Sequence, residues 1–243
     1  MSSNVLVTGA NRGIGKIMVE SFAKDGRNVF AHARKPNAEF ELYLNQLEKV
    51  YSVHIRPVYF DMTDTVSMKK SVKELYKEDI RFDILVNNAG LAHGGLFQMT
   101  SVETIRQVFD INLFSHMSLT QLVLRGMQQI KKGCIINMAS ISGIDLQAGN
   151  CAYGVSKAGI IAWTKTLAAE MGEYGIRVNA IAPGLTDTDM SRQMESKAGA
   201  AMVERSVMKR LARPQEVADV AVFLASDKAS FINGQTIRVD GGS

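Results

Sequence analysis

What most constrains this chain is an alternation that runs its whole length: short β-branched runs separated by longer stretches of helical periodicity. A strand followed by a helix and then another strand returns parallel to the first, so repeated alternation predicts a parallel sheet with helices on both faces. Strands are predicted at Val5 to Thr8, Asn28 to Ala33, Val53 to Tyr59, Asp83 to Asn87, Cys134 to Met138, Arg177 to Ile181 and Thr236 to Val239. They are mostly continuous apolar runs, as strands covered on both faces are. Apolar residues at helical spacing predict helices over Val66 to Lys77, Ser101 to Ile130, Ala152 to Glu173 and Gln215 to Ala225. The fold class read from this pattern is α/β, doubly wound.

Nothing divides the chain. Its 243 residues are 46% hydrophobic with 4 Pro, and no repeat, low-complexity tract or linker interrupts them, so one domain over 1–243 is expected. The net charge of +4 is spread without a long basic run, which suits a small anionic ligand and excludes a nucleic-acid groove. No apolar stretch reaches the roughly 18 residues of a membrane span. The opening MSSNVLVT leaves no room for a charged and then apolar leader, and a soluble cytoplasmic protein is expected. Cys134 and Cys151 lack metal-ligand spacing and are read as reduced thiols, with no metal site.

The first strand runs into Thr8-Gly9-Ala10-Asn11-Arg12-Gly13-Ile14-Gly15 and a helical pattern follows at once. Glycines let backbone approach a pyrophosphate closely, and the helix N-terminus presents free N–H groups and a positive dipole end. The spacing is GxxxGxG and departs from GxGxxG. The second strand ends in His32-Ala33-Arg34, without the carboxylate that receives ribose hydroxyls in many NAD sites. Arg34, with Arg12, can give charge-assisted contacts to a 2′-phosphate, so NADP(H) is the expected cofactor; two solvated arginines are the alternative. In Phe60-Asp61-Met62-Thr63-Asp64, Thr63 or Asp64 is placed to cap the next helix. Asn87-Asn88-Ala89-Gly90 closes the fourth strand with small residues, leaving room for a ligand in the crevice there.

Between Ser140 and Lys157 the chain reads SISGIDLQAGNCAYGVSK. Tyr153 and Lys157 are four apart, on one face of a helix, so the ammonium can sit beside the phenol and is expected to lower its pKa toward working pH. Alone, the pair is better read as an ordinary helix-surface contact; the rest of the chain overturns that.

Taken together, TGANRGIG, NNAG, Asn112, Ser140, YGVSK, the APG of 182–184 and the closing VDGGS are similar in order and spacing to the short-chain dehydrogenase/reductase family, over essentially the whole chain. The resemblance implies a single Rossmann-type domain with a seven-stranded parallel sheet. It matches Asn112, Ser140, Tyr153 and Lys157 to the catalytic tetrad. It implies cofactor contacts from Gly9, Asn11, Arg12, Gly13, Ile14 and Gly15 in the first turn, and from Arg34, Asp61 and Met62, with Asp61 receiving the adenine amino group. Asn88, Ala89 and Gly90 follow in the crevice, then Tyr153, Lys157, Pro183 and Gly184. Thr188 matches a residue at the nicotinamide end, and Thr186 offers its N–H to the carboxamide. A homotetramer pairing through helices 101–130 and 152–173 is implied, with Ala158, Gly159 and Ala162 permitting close packing.

Within the family, VNAIAPGLTDTDM, RLARPQEVADVAVFLAS and INGQTIRVDGG most resemble 3-oxoacyl-acyl-carrier-protein reductases, whereas Leu91-Ala92-His93-Gly94-Gly95 and Asn150-Cys151-Ala152 depart from them. The implied function is NADPH-dependent reduction of a 3-oxoacyl thioester, with an acyl carrier protein as partner. Reduction of another ketone (sugar, polyol or steroid-like) is the alternative. A dinucleotide-binding sensor without turnover is a third reading, and a complete tetrad argues against it. Tyr153 is expected to protonate the carbonyl oxygen, Lys157 to stabilise phenolate and hold the ribose, and Ser140 to orient the oxygen. Asn112 would hold a water that connects Lys157 to solvent, or else satisfy helix backbone. Residues 187–210, with Met190, Met194, Met202 and Met208, read as a substrate lid or as ordinary packing. Gln147 and His93 are read as loop residues that can face substrate, and Lys131 and Lys132 as a solvated pair that can meet an acidic carrier.

Overall fold

Val5 and Val7 point to one side of their strand and Leu6 to the other, and each side meets a layer of helices that buries it completely. That alternation recurs across the sheet. In the computed structural model, which describes residues 3–192 and 203–243, the strands are β1 (Asn4–Val7), β2 (Asn28–Ala33), β3 (Ile55–Tyr59), β4 (Ile84–Asn87), β5 (Gly133–Met138), β6 (Ile176–Pro183) and β7 (Thr236–Val239). They form one seven-stranded sheet in the order β3-β2-β1-β4-β5-β6-β7, every neighbouring pair parallel.

The helices are α1 (Gly13–Lys24), α2 (Ala38–Tyr51), α3 (Thr65–Lys77), α4 (Val102–Phe109), α5 (Ser115–Ile130), α6 (Cys151–Met171), α7 (Asp189–Arg192) and α8 (Pro214–Ala225). One face is covered by Met18, Val19 and Phe22 of α1, Phe40, Leu44 and Leu47 of α2, and Val217 and Ala221 of α8. The other takes Met68 and Val72 of α3, Leu119 and Val123 of α5, and Leu167 of α6.

The order reverses between β1 and β4, so the loops leaving their carboxyl ends part and open a crevice, the place where such sheets bind ligands. Asp64 caps α3 by accepting from Val66 N and Ser67 N at 3.0 and 3.1 Å, one of the two caps expected there. Two features depart from the sequence reading. Helix α2 had not been marked: its Phe40, Leu44 and Leu47 make a narrow apolar stripe in an otherwise polar segment. The predicted 101–130 helix is two helices joined by a π-helical turn, Asp110–Phe114. No described helix is long and apolar enough to cross a membrane.

Candidate active site

The glycine turn after β1 is held by its neighbours before any ligand enters. Thr8 Oγ1 accepts from Asn88 N and Ala89 N at 2.8 and 3.0 Å, and Asn88 Nδ2 donates to Thr8 O and Gly9 O at 2.8 and 3.2 Å. The expected ligand-facing Asn88 amide is thus committed to the loop backbone, because two strand ends that part here need a bond to fix their spacing. Beneath the loop, buried His32 accepts from Gly9 N at 3.3 Å and pairs its other nitrogen with Phe60 O at 2.9 Å. A β-carbon on Gly15 would lie 2.2 Å from Gly9 O, so the turn admits no side chain there.

Arg12, the N-cap of α1, is extended and gives no side-chain cap, and the first turn holds no acid. The leading N–H groups therefore face the crevice without a competing carboxylate. Asn11, Arg12 and Arg34 are exposed. These residues fit the pyrophosphate of a dinucleotide. Gly13 lies beneath Thr188, whose Cγ2 would be 3.5 Å from a β-carbon there, so the segment after β6 arches over the turn.

Three cofactor assignments are narrower than expected. Met62 is buried in the core, leaving its backbone for any contact. Asp61 Oδ1 accepts from Thr63 N and Thr63 Oγ1 at 2.9 and 2.8 Å; those bonds, with the charge of Arg34, hold its carboxyl below the usual range. Thr186 is buried, and its pairing with Ala212 uses Leu185 O and Asp187 N, which turns its own N–H to the opposite side. Pro183 ends β6, and a β-carbon on Gly184 would stand 2.8 Å from Asp240 Cα.

At the deep end of the crevice the four tetrad residues converge. Ser140 leaves β5 and accepts from Ser142 N at 3.1 Å, with its hydroxyl near enough to the half-buried Tyr153 phenol to favour the phenolate. Lys157, one turn along α6, is buried, donates to Met138 O at 2.7 Å and lies 5.8 Å from the Tyr153 ring centroid. The π-helical turn carries Asn112 into the core, where Oδ1 accepts from Leu91 N at 2.8 Å and Nδ2 donates to Leu91 O at 3.0 Å and Ser156 Oγ at 3.1 Å. Asn112 thus satisfies the backbone of the loop after β4 and not that of a helix. A β-carbon on Gly90 would be 3.4 Å from Asn112 Oδ1 and 3.7 Å from Lys157 Nζ, so this glycine keeps the two side chains in reach of one another.

The electrostatics correct one expectation. Burial raises the Tyr153 phenol above its ordinary pKa, with the Ser140 hydrogen bond acting weakly the other way. The Lys157 ammonium does not pull it down: burial lowers Lys157 itself to about 8, and its shortest bond is to Met138 O. At neutral pH the pair is a protonated phenol beside an ammonium. Such a phenol can give a proton to an oxygen gaining negative charge.

Beside Ser140 opens a cavity of about 380 Å³ lined by Ile141, Asp145, Gln147, Leu185, Arg205 and Ser243. Gln147 is part of this wall. His93 is not, and pairs with Thr100 Oγ1 at 3.3 Å. Of the lid, residues 193–202, including Met194 and Met202, lie outside the described residues, as does the side chain of Met190; Met208 is exposed.

A parallel sheet with a glycine turn at its switch point, and Ser, Tyr and Lys meeting beside a cavity, is the arrangement of one family. A model of that family described as enoyl-(acyl carrier protein) reductase matches residues 9–243. The chain is a short-chain dehydrogenase/reductase. It is 37% identical over 98% of its length to a 3-oxoacyl-acyl-carrier-protein reductase of Thermotoga maritima, of which 96% is covered. Among solved structures it is similar to a proposed gluconate dehydrogenase from Agrobacterium tumefaciens, with a TM-score of 0.94 and 32% identity over 99% of this chain and 95% of the other. A 3-oxoacyl-acyl-carrier-protein reductase of Brucella melitensis with bound NAD gives 0.89 and 33%, over 99% and 90%. As a short-chain dehydrogenase/reductase, the chain is an oxidoreductase acting on carbonyl or alcohol with a nicotinamide dinucleotide. Among the described residues no His, Cys, Asp or Glu cluster is fit to hold a metal. Cys134 is buried and Cys151 exposed, both free thiols.

Proposed function

We propose that this short-chain dehydrogenase/reductase reduces a 3-oxoacyl thioester presented on an acyl carrier protein, with NADPH as reductant. The observation that carries the chemistry is a half-buried Tyr153, its phenol held above the ordinary pKa, converging with Ser140 and with Lys157 one turn away. Full-length similarity to a 3-oxoacyl-acyl-carrier-protein reductase supports the substrate class. The nicotinamide, when bound, supplies the hydride. Tyr153 gives its proton to the carbonyl oxygen as negative charge grows there, and Ser140 holds that oxygen in line. Lys157 stabilises the resulting phenolate by its charge and binds the ribose, while Asn112 holds a water through which the proton is replaced. Gly9, Gly13 and Gly15 admit the pyrophosphate to the N-terminus of α1. Arg12 and Arg34, exposed, with no carboxylate in the His32-Ala33-Arg34 that ends β2, favour the 2′-phosphate.

The single domain carries the segment 187–210 as its lid. Exposed Phe97 and Val155 flank an apolar hollow of about 180 Å³ between α4 and α6, which supports pairing of chains there into a homotetramer. Gly159 is spent within the chain, since a β-carbon there would meet Leu113 at 2.9 Å. Lys131 and Lys132, exposed after α5, offer charge to an acidic carrier. A cytoplasmic location goes with this role.

A second reading, reduction of a sugar-like ketone, is favoured by the polar Asp145, Gln147 and Arg205 in the cavity wall. Steady-state rates with acetoacetyl thioesters and a panel of sugar and polyol ketones, each with NADPH and NADH, separate the two. The thioester should give the higher kcat/KM, with NADPH preferred by about tenfold or more and the preference lost in Arg34→Asp. A sugar ketone turned over better would overturn the substrate assignment, and equal use of NADH the cofactor assignment.

A further inference from the structure

Five residues after Ser140, Asp145 closes the turn that leaves β5 by donating its N–H to Ile141 O at 2.8 Å. From there residues 144–150 cross the mouth of the cavity, with Leu146 and Gly149 at φ 40° and 78°. The far end of this strap is stitched to the loop after β4, where Gly95 N donates to Gly149 O at 2.8 Å. Its near end is held by a side chain from β7, the edge strand two places from β5. Arg238 of β7 donates Nη1 and Nη2 to Asp145 Oδ1 and Oδ2, each at 3.0 Å, a two-pronged match of guanidinium to carboxylate. The same guanidinium donates through Nε to Asp240 Oδ2 at 2.7 Å and through Nη2 to Ser243 O.

The turn that Arg238 gathers in touches the other cavity walls. Gly241 O accepts from Ser206 Oγ and Met208 N, both at 3.1 Å, which ties in the last part of the lid. Asp240 packs against Gly184, next to Leu185. Asp145, Leu185 and Ser243 all line the cavity, so one side chain joins three walls that come from distant parts of the sequence.

We propose that Arg238 is a positioning residue for the substrate: its fork on Asp145 fixes the strap across the cavity beside Ser140 and so sets how tightly the carbonyl compound is held. The inference rests on the reading of that cavity as the substrate site. Both partners keep about a third of their side-chain surface in water, 34% and 33%. A fork so exposed is screened by salt, whereas Asp240, 7% exposed, also depends on Arg238. Loss of the fork alone should therefore appear in substrate affinity and leave the fold standing.

The test uses the full-length enzyme and an uncharged 3-oxoacyl N-acetylcysteamine thioester, together with whichever ketone of the panel the wild type reduces. Asp145→Asn, which removes only the fork, should raise KM about threefold or more, with kcat, NADPH affinity and Tm close to wild type. Arg238→Met also frees Asp240 and Ser243 O, so it should raise KM about tenfold at some cost in Tm, and the double variant should match Arg238→Met, since the fork is lost only once. Arg238→Lys keeps the charge without the fork and should fall between. Rising ionic strength should raise KM in the wild type and leave it unchanged in Arg238→Met. An unchanged KM, a fall in kcat alone, or additive effects in the double variant would overturn the proposal. If Arg238→Met fails to fold, Arg238→Lys and Asp145→Asn carry the same comparison. A wild type that reduces a sugar ketone and no thioester removes the thioester reading, while the ratio of KM values on that ketone still tests Arg238.

Discussion

Tyr153 and Lys157 were legible in the sequence as a pair, four apart on one helical face, but their protonation was not. Spacing places an ammonium near a phenol; it does not say how much water each has lost. Burial dominates both groups, pushing Tyr153 up and bringing Lys157 down to about 8. The two shifts give a sign to the pH dependence of reduction. Tyr153 keeps its proton throughout the neutral range, while Lys157 is charged below about pH 8 and neutral above it. In the reductive direction kcat/KM should be level from pH 6 to 7.5 and fall above pH 8, approaching about tenfold per pH unit. A pH profile with saturating NADPH checks this, and a limb that appears only near pH 10 would contradict it. Asn88 teaches the same lesson about committed groups. The motif marks it as important, and only the geometry shows its amide spent on Thr8 O and Gly9 O.

At the scale of elements, the glycine turn and α1 were readable because their chemistry is local: a strand, three glycines and a helix start all lie between Asn4 and Gly15. Helix α2 escaped because Phe40, Leu44 and Leu47 are its whole buried face. The π-helical turn at Asp110–Phe114 escaped because nothing in DINLF distinguishes it from ordinary helix; it exists to aim Asn112 at Leu91. The turn after β1 makes its own prediction. In Gly15→Ala the new β-carbon meets Gly9 O at 2.2 Å and Asn88 Nδ2 at 2.5 Å. The variant should lose about 1–3 kcal/mol of stability and bind NADPH at least tenfold more weakly, as judged by thermal unfolding and by Trp163 fluorescence titration. Gly26→Ala is the matched control. Unlike Gly15 it sits at positive φ, 76°, and meets nothing within 4 Å, so it should cost stability alone. Equal binding by Gly15→Ala and wild type would show that the turn does not carry the pyrophosphate.

For the molecule as a whole, the sheet order and the two helical layers follow from the alternation of strand and helix, and the seven predicted strands are the seven observed. The sequence did not reveal the long-range ties, among them His32 under the glycine turn and His116 beneath Ala89. His116 Nε2 donates to Ala89 O at 2.7 Å, and its Nδ1 is buried without a partner. Burial lowers His32 to about 4 and His116 to about 3. Both stay neutral in the fold and take up protons near pH 6.5 once unfolded, so the stability they contribute is complete above pH 6.5 and lost as pH falls toward 4. Two such groups approach a slope of about 2.7 kcal/mol per pH unit below pH 6, measurable by urea unfolding between pH 7 and 5. Half that slope would mean that one of them is charged in the fold, and a flat profile that both are. The proposed function makes one proton transfer, from Tyr153 beside Ser140, the step on which the rest depends. The most direct test is a single turnover by Tyr153→Phe, with NADPH oxidation followed on mixing with a 3-oxoacyl thioester. NADPH should bind within about threefold of wild type while the rate of oxidation falls by about a thousandfold or more; a variant that keeps a tenth of the wild-type rate would show that the phenol is not the acid.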